Sequence, residues 1–308
     1  MKKIDLITGF LGSGKTTFIK EYVKYLVSIG EKVCILENDF GAINVDMMLL
    51  SELRGENVEI EMVSGGCDID CHRRRFKTKL IAMGMDDYTR IIVEPSGVFD
   101  TDEFFDALYD EPLCNWYEIS NVIAIVDAKV EDSLSDNSKY MLASEVACAG
   151  KIVLSKVQDY TKEQIATTKG LIESFLHDIN CNRDISDTFL IKDWKSLTNS
   201  DYEMISNSGY AKSSFVKRVI DPNEIYDTIF IMDKKPSLEK IEEIAKRLFD
   251  DSKCGNVFRI KGFVNSDEGW LEINFTKNET RINIIPEGQD VVIIIGESLN
   301  TDYINNIM

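Results

Sequence analysis

Eight consecutive residues, Gly9-Phe10-Leu11-Gly12-Ser13-Gly14-Lys15-Thr16, constrain this chain more than any other feature. They follow KIDLITG, an apolar run of strand length. They precede TTFIKEYVKYLVSIG, where Phe18, Ile19, Tyr22, Val23 and Leu26 recur at helical spacing until Gly30 stops the pattern. Gly9, Gly12 and Gly14 allow the backbone to wrap an anion, so that successive N–H groups, that of Ser13 among them, and the helix N-terminus face the charge. Lys15 is placed to neutralise terminal phosphate oxygens and the Thr16 hydroxyl to ligate Mg²⁺, with Thr17 beside them. The stretch predicts a phosphate-binding loop and, with it, a strand–loop–helix unit.

The alternation continues beyond that unit. KVCILEN, NVEIEMV, TRIIVEP, NVIAIVDA and KIVLSK are strand-sized runs, and helical patterns lie between them around 71–85, 101–109, 137–149 and 161–178. Repeated strand–helix alternation predicts an α/β fold with a doubly wound, mostly parallel sheet over 1–195. Residues 196–213 are polar, rich in serine and asparagine, and read as a linker. From 214 to 308 the order changes to strand-like runs around one amphipathic helix, SLEKIEEIAKRLF, which predicts a smaller α+β C-terminal domain. A chain of 308 residues is long for one core, which agrees with two domains.

Composition narrows the partners. The net charge is −18, from 53 acidic and 35 basic residues, so the surface disfavours nucleic-acid backbones and anionic membranes. A bound nucleotide is unaffected by that argument, because backbone amides and a few cations hold it locally. Seven cysteines, scattered apart from Cys67 and Cys71, form no disulfide framework and fit a reducing compartment. The first residues offer no apolar core of signal-peptide length, and the longest apolar runs are strand-sized, so a cytoplasmic protein is expected.

A phosphoryl-transfer site also needs a carboxylate at a neighbouring strand end, to hold the metal shell and poise water. Glu94 in IIVEPSG closes a strand that has no other acidic residue, and Gly97 lets the backbone turn toward a terminal phosphate. ILENDFGAINVD offers Glu37, Asp39 and Asp46. In chain order, GFLGSGKTT, ENDFG with Asp46, SGGC, EPSG, VDA at 126–128, LSK at 154–156 and VFRIKGFV with a closing IIIGE resemble the CobW-like family of P-loop GTPases, relatives of the metallochaperone GTPases of urease and hydrogenase maturation. The likeness thins between about 160 and 210. It implies GTP and Mg²⁺ as ligands and slow hydrolysis served by Lys15, Thr16, Glu94 and Asp39. It also implies transfer of Zn²⁺, Co²⁺ or a related ion to a client metalloprotein or metal-cofactor enzyme, and a homodimer is compatible with it.

Three departures from the family pattern shape the expectations. At the base-recognition motif N-K-x-D this chain has Ser155-Lys156-Val157-Gln158, with Asp159 one step late. A glutamine carbonyl accepts from guanine less strongly than a carboxylate, so a reduced preference for GTP is expected. After ENDFG the family glutamate is Ala42, which removes one potential ligand while Glu37 remains. The family's C-x-C-C is broken in SGGCDIDCHRRR, where Ile69 and Asp70 occupy two cysteine positions and Cys71 falls one residue beyond. On a helix starting near residue 67, Cys67 and Cys71 share a face at i and i+4 and can meet one tetrahedral ion. Asp70 or Glu37 could complete the shell, and His72 only if the segment is irregular. Such a donor set favours Zn²⁺, with Co²⁺ or Ni²⁺ exchangeable. The alternative keeps the nucleotide switch without the metal: a regulatory or activator NTPase that remodels a client.

Overall fold

The computed structural model describes residues 1–39, 50–65, 69–97, 99, 101–218, 225–232, 238–266, 269–286 and 288–308, with backbone alone at 39, 69 and 238. These residues form two compact units, Met1–Arg218 and Val219–Met308.

In the first unit the strands are β1 (Lys2–Thr8), β2 (Val33–Asp39), β3 (Val58–Ser64), β4 (Arg90–Pro95), β5 (Tyr117–Asp127), β6 (Lys151–Ser155) and β7 (Phe189–Leu190). They pair in parallel in the order β3-β2-β4-β1-β5-β6-β7. The helices are α1 (Lys15–Ser28), α2 (Ile69–Met85), α3 (Thr101–Tyr109), the short α4 (Leu113–Trp116), α5 (Asp136–Ala147), α6 (Lys162–Asp178) and α7 (Asn199–Ser206). Every residue of β4 is buried, as a central strand covered on both faces must be. One face carries Ile7, Ile35, Ile92, Ile123 and Val153, packed against Phe18, Tyr22 and Leu26 of α1. The register sets Glu37 of β2 directly beside Glu94 of β4.

The segment expected as a linker is folded. Thr198 and Asp201 form a reciprocal capping box at the start of α7. Tyr202 then stacks 5.5 Å from Tyr25 and 6.5 Å from Tyr22. Beyond the helix, Gly209 N–H donates to Asn121 Oδ1 at 2.9 Å and Tyr210 bridges Ala149. The segment looked like a linker because a short helix with one buried face shows mostly its polar residues. Beside the same asparagine, Asp5 is wholly buried and accepts from Tyr22 Oη at 2.9 Å and Asn121 Nδ2 at 2.8 Å. The Arg90 guanidinium, 2% exposed, lies 3.4 Å from the same carboxylate.

The second unit contains a five-stranded antiparallel sheet in the order β11-β10-β9-β12-β8. Its strands are β8 (Tyr226–Met232), β9 (Asn256–Ser266), β10 (Gly269–Thr276), β11 (Glu279–Ile285) and β12 (Val291–Glu297). Helix α8 (Leu238–Asp250) buries Ile241, Ala245 and Leu248 against Ile260, Ile273, Phe275, Val292 and Ile294, and α9 (Thr301–Ile307) adds Ile304. This is the α+β arrangement the sequence predicts. Among the described residues, no helix is long and apolar enough to cross a membrane.

Candidate functional site

The loop between β1 and α1 takes the conformation that its glycines permit. Gly9, Gly12 and Gly14 have φ of 148°, 73° and 102°, in the region side chains disfavour. A Cβ at Gly9 would sit 2.2 Å from the Ile125 carbonyl oxygen, so the loop lies tightly on β5. Lys15, 7% exposed, donates from Nζ to the Gly9 carbonyl at 2.7 Å, which places its ammonium inside the loop. Ser13 is buried within the same turn. Thr17 follows Thr16 in the first turn of α1.

The neighbouring strand ends bring the carboxylates. Thr16 Oγ1 donates to Glu94 Oε1 at 2.7 Å. Glu94 and Glu37 are each 3% exposed and adjacent across β4 and β2. The Thr16 hydroxyl and the buried Glu94 carboxylate are a hard-oxygen pair that suits a divalent cation such as Mg²⁺, with Glu37 beside them. Gly97 comes close enough to the phosphate loop that an added Cβ would lie 2.8 Å from the Leu11 amide nitrogen. Asp39 ends β2, paired in register with Ser64, and its side chain lies outside the described residues.

The segment expected to meet the base is anchored to the same loop. Lys156 has φ of 57°, pairs with Asp127 at 2.7 Å and reaches the Gly12 carbonyl at 3.4 Å. Ser155 is buried at the end of β6. Gln158 and Asp159 are exposed on the following turn, where Gln158 Nε2 donates to Asp159 Oδ2 at 3.0 Å. The late carboxylate therefore orients the glutamine amide. Trp194 closes this side: its Nε1 donates to the Leu154 carbonyl at 2.9 Å, and its ring would lie 3.1 Å from a Cβ at Gly14.

The cysteine segment is reached only in part. Cys67, Ala42 and Asp46 lie outside the described residues. Cys71 is half-buried in the first turn of α2, and Asp70 is exposed beside it. His72 lies in the regular helix α2, where a ligand role is not expected. It is wholly buried, with Nδ1 3.1 Å from the Gly65 carbonyl and Nε2 2.7 Å from Asn38 Oδ1. Both ring nitrogens are thereby engaged, and the histidine ties the end of β3 to β2. Among the described residues, no three His, Cys, Asp or Glu side chains gather as a metal cluster.

Sequence reasoning missed several residues here. Asn38 was hidden inside ENDFG, and Trp194 follows a two-residue strand with no periodic signal around it. Glu145 carried a readable sign: it is the single charge in MLASEVACA, and it is wholly buried against Thr8 and Gly9.

A glycine-wrapped loop at the carboxyl end of a parallel sheet, with an inward lysine and a threonine held by a buried glutamate, defines a P-loop nucleotide-binding protein. A model of the CobW/HypB/UreG nucleotide-binding domain matches residues 3–187. The chain belongs to that family. It is 29% identical over 160 residues to the zinc chaperone YjiA of Escherichia coli (strain K12), covering 50% of this chain and 48% of that protein. Identity to the zinc chaperone YeiR of the same organism is 28% over 166 residues, covering 53% and 49%. The zinc-regulated GTPase metalloprotein activator 1 of Dictyostelium discoideum is 24% identical over 303 residues, covering 84% of this chain and 62% of that one. The chain thus spans about half the length of the two zinc chaperones it matches.

Proposed function

We propose that the protein is a Mg²⁺-dependent GTPase that acts as a metal chaperone or insertase, carrying Zn²⁺ or Co²⁺ to a client metalloprotein. The observation that supports this reading is a run of contacts joining the two halves of the site. Thr16 bonds Glu94, Glu94 lies beside Glu37, and the next residue, Asn38, bonds His72, the neighbour of Cys71. A γ-phosphate and Mg²⁺ that reposition Glu94 and Glu37 would shift the strand end holding the cysteine helix. Metal and nucleotide affinities then bias one another reciprocally. In this mechanism Lys15 would meet the β- and γ-phosphates, Thr16 and Glu94 would hold the Mg²⁺ shell, Asp39 would help to poise water, and Cys67 and Cys71 with Glu37 or Asp70 would bind the cargo. The names of the relatives, zinc chaperones and a zinc-regulated GTPase, agree with zinc as that cargo.

The deciding experiment is equilibrium Zn²⁺ binding with and without GTP and Mg²⁺, in the wild type and in Cys67→Ser/Cys71→Ser. The wild type is expected to bind one Zn²⁺ per chain with an affinity that changes severalfold on adding nucleotide. The double variant is expected to lose that ion while retaining nucleotide. Unchanged metal uptake in the variant sinks Cys67 and Cys71 as the cargo site, and a wild type that takes up no Zn²⁺ leaves the metal-independent activator NTPase. For the base, Gln158→Asp restores a carboxylate, and a charged acceptor is roughly twice as strong as a neutral one. The variant is expected to prefer GTP over ATP about tenfold more than the wild type in a competition assay.

A further inference from the structure

Four buried polar atoms lie around Gly9 with no well-formed hydrogen bond among the described residues, Thr8 Oγ1, Ser13 Oγ and both carboxyl oxygens of Glu145, although the Thr8 hydroxyl and the Gly9 amide approach the glutamate. Glu145 comes from α5, which nothing in the proposed mechanism uses, and its exposure is 0%. The groups that face it are the Thr8 hydroxyl at the end of β1, the Gly9 amide in the loop, and the Lys15 ammonium at the start of α1. Lys15 sits on the Gly9 carbonyl, the same residue whose amide faces the glutamate. An acidic side chain is thus enclosed directly beneath a loop built to receive phosphate. As a carboxylate it would repel the arriving phosphates and attract the lysine they need. As a neutral acid it offers one donor and one acceptor, which suits a hydroxyl and an amide.

We propose that Glu145 is a positioning residue of the phosphate site, which favours nucleotide when it carries a proton and competes with the phosphates for Lys15 when it does not. The proposal rests on the nucleotide-binding reading above. Binding of a negatively charged nucleotide and protonation of Glu145 must then strengthen each other by the same factor. Burial pushes the Glu145 carboxyl up to about 8, against the opposing pull of Lys15 and of the contacts from Thr8 and Gly9. The sign follows. Below that range the proton is already present and affinity is insensitive to pH. As pH rises through it, each binding event must take a proton from the buffer, and affinity falls.

The test is calorimetric titration of the whole protein with a non-hydrolysable GTP analogue and Mg²⁺, from about pH 7 to about pH 9, in buffers of different ionisation enthalpy. Wild type is expected to lose about tenfold in affinity across that range and to take up protons on binding at the upper end. Glu145→Gln keeps the shape of the neutral acid and is expected to reduce the loss to about twofold or less, with no proton uptake beyond that of the nucleotide. The nucleotide's own ionisations act alike on both proteins. Equal pH slopes in the two would overturn the proposal, whereas failure of both to bind at any pH would overturn the nucleotide reading with it. If Glu145→Gln does not fold, infrared difference spectra of the wild type decide. Nucleotide added at about pH 8.5 is expected to generate a protonated-carboxyl band, and its absence contradicts the proposal.

Discussion

Glu94→Gln is expected to lower the hydrolysis rate by on the order of 10²-fold or more, with a far smaller change in nucleotide affinity. The amide keeps the shape of the side chain, and its oxygen can still accept from Thr16, whose hydroxyl is 2.7 Å away in the wild type. What it loses is the charge that, on the proposed function, would hold the Mg²⁺ shell and so stabilise charge developing on the transferred phosphoryl group. The Mg²⁺ concentration for half-maximal rate is expected to rise about tenfold, since an amide is a much weaker ligand for a hard cation than a carboxylate. Stability offers an internal control. Glu37 lies buried beside Glu94, so removing one of two like charges from the sheet is not expected to lower Tm in metal-free buffer. A variant that loses activity and Tm together would point to a structural role for Glu94 instead.

The largest stability effect is expected at Arg90. Arg90→Met fills much of the same volume but leaves the Asp5 carboxylate buried beside Tyr22 and Asn121 without its countercharge. Breaking a buried ion pair from one side costs roughly 3–5 kcal/mol, which for a unit of this size lowers Tm by about 6–20 °C. Burial already raises the Asp5 carboxyl above the ordinary aspartate range, with Arg90 the chief opposing influence. Removing the guanidinium should therefore drive Asp5 further toward its protonated form, and the deficit should narrow as pH falls. Asp5→Asn/Arg90→Met is expected to recover a substantial part of the loss. Additive losses in thermal melts of the two single variants and the double would contradict direct coupling.

The parts of the fold legible in the sequence were those written in strong local patterns. The phosphate loop was explicit because a glycine-rich wrap, a lysine and a threonine must be consecutive. The strands of the first unit were explicit because a sheet covered on both faces needs uninterrupted apolar runs. Glu94 could be found because it interrupts such a run at its end. What escaped depended on tertiary contact. Helix α7 reads as polar chain until Tyr202 meets Tyr22 and Tyr25. Glu37 and Glu94, 57 positions apart, become neighbours only through the register of β2 with β4. His72 could be set aside as a ligand only by the regularity of its helix, and only the fold could supply Asn38 and Gly65 as its partners. At Gln158 the substitution was visible, but its hydrogen bond to Asp159 was not.

Gly97 carries a steric consequence. Its backbone and that of Leu11 meet with no clearance for a methyl group, so the phosphate loop and the residue two past the end of β4 share one contact surface. Any side chain at that position would have to part the two segments, and the seat of the loop against the sheet therefore depends on a single missing Cβ.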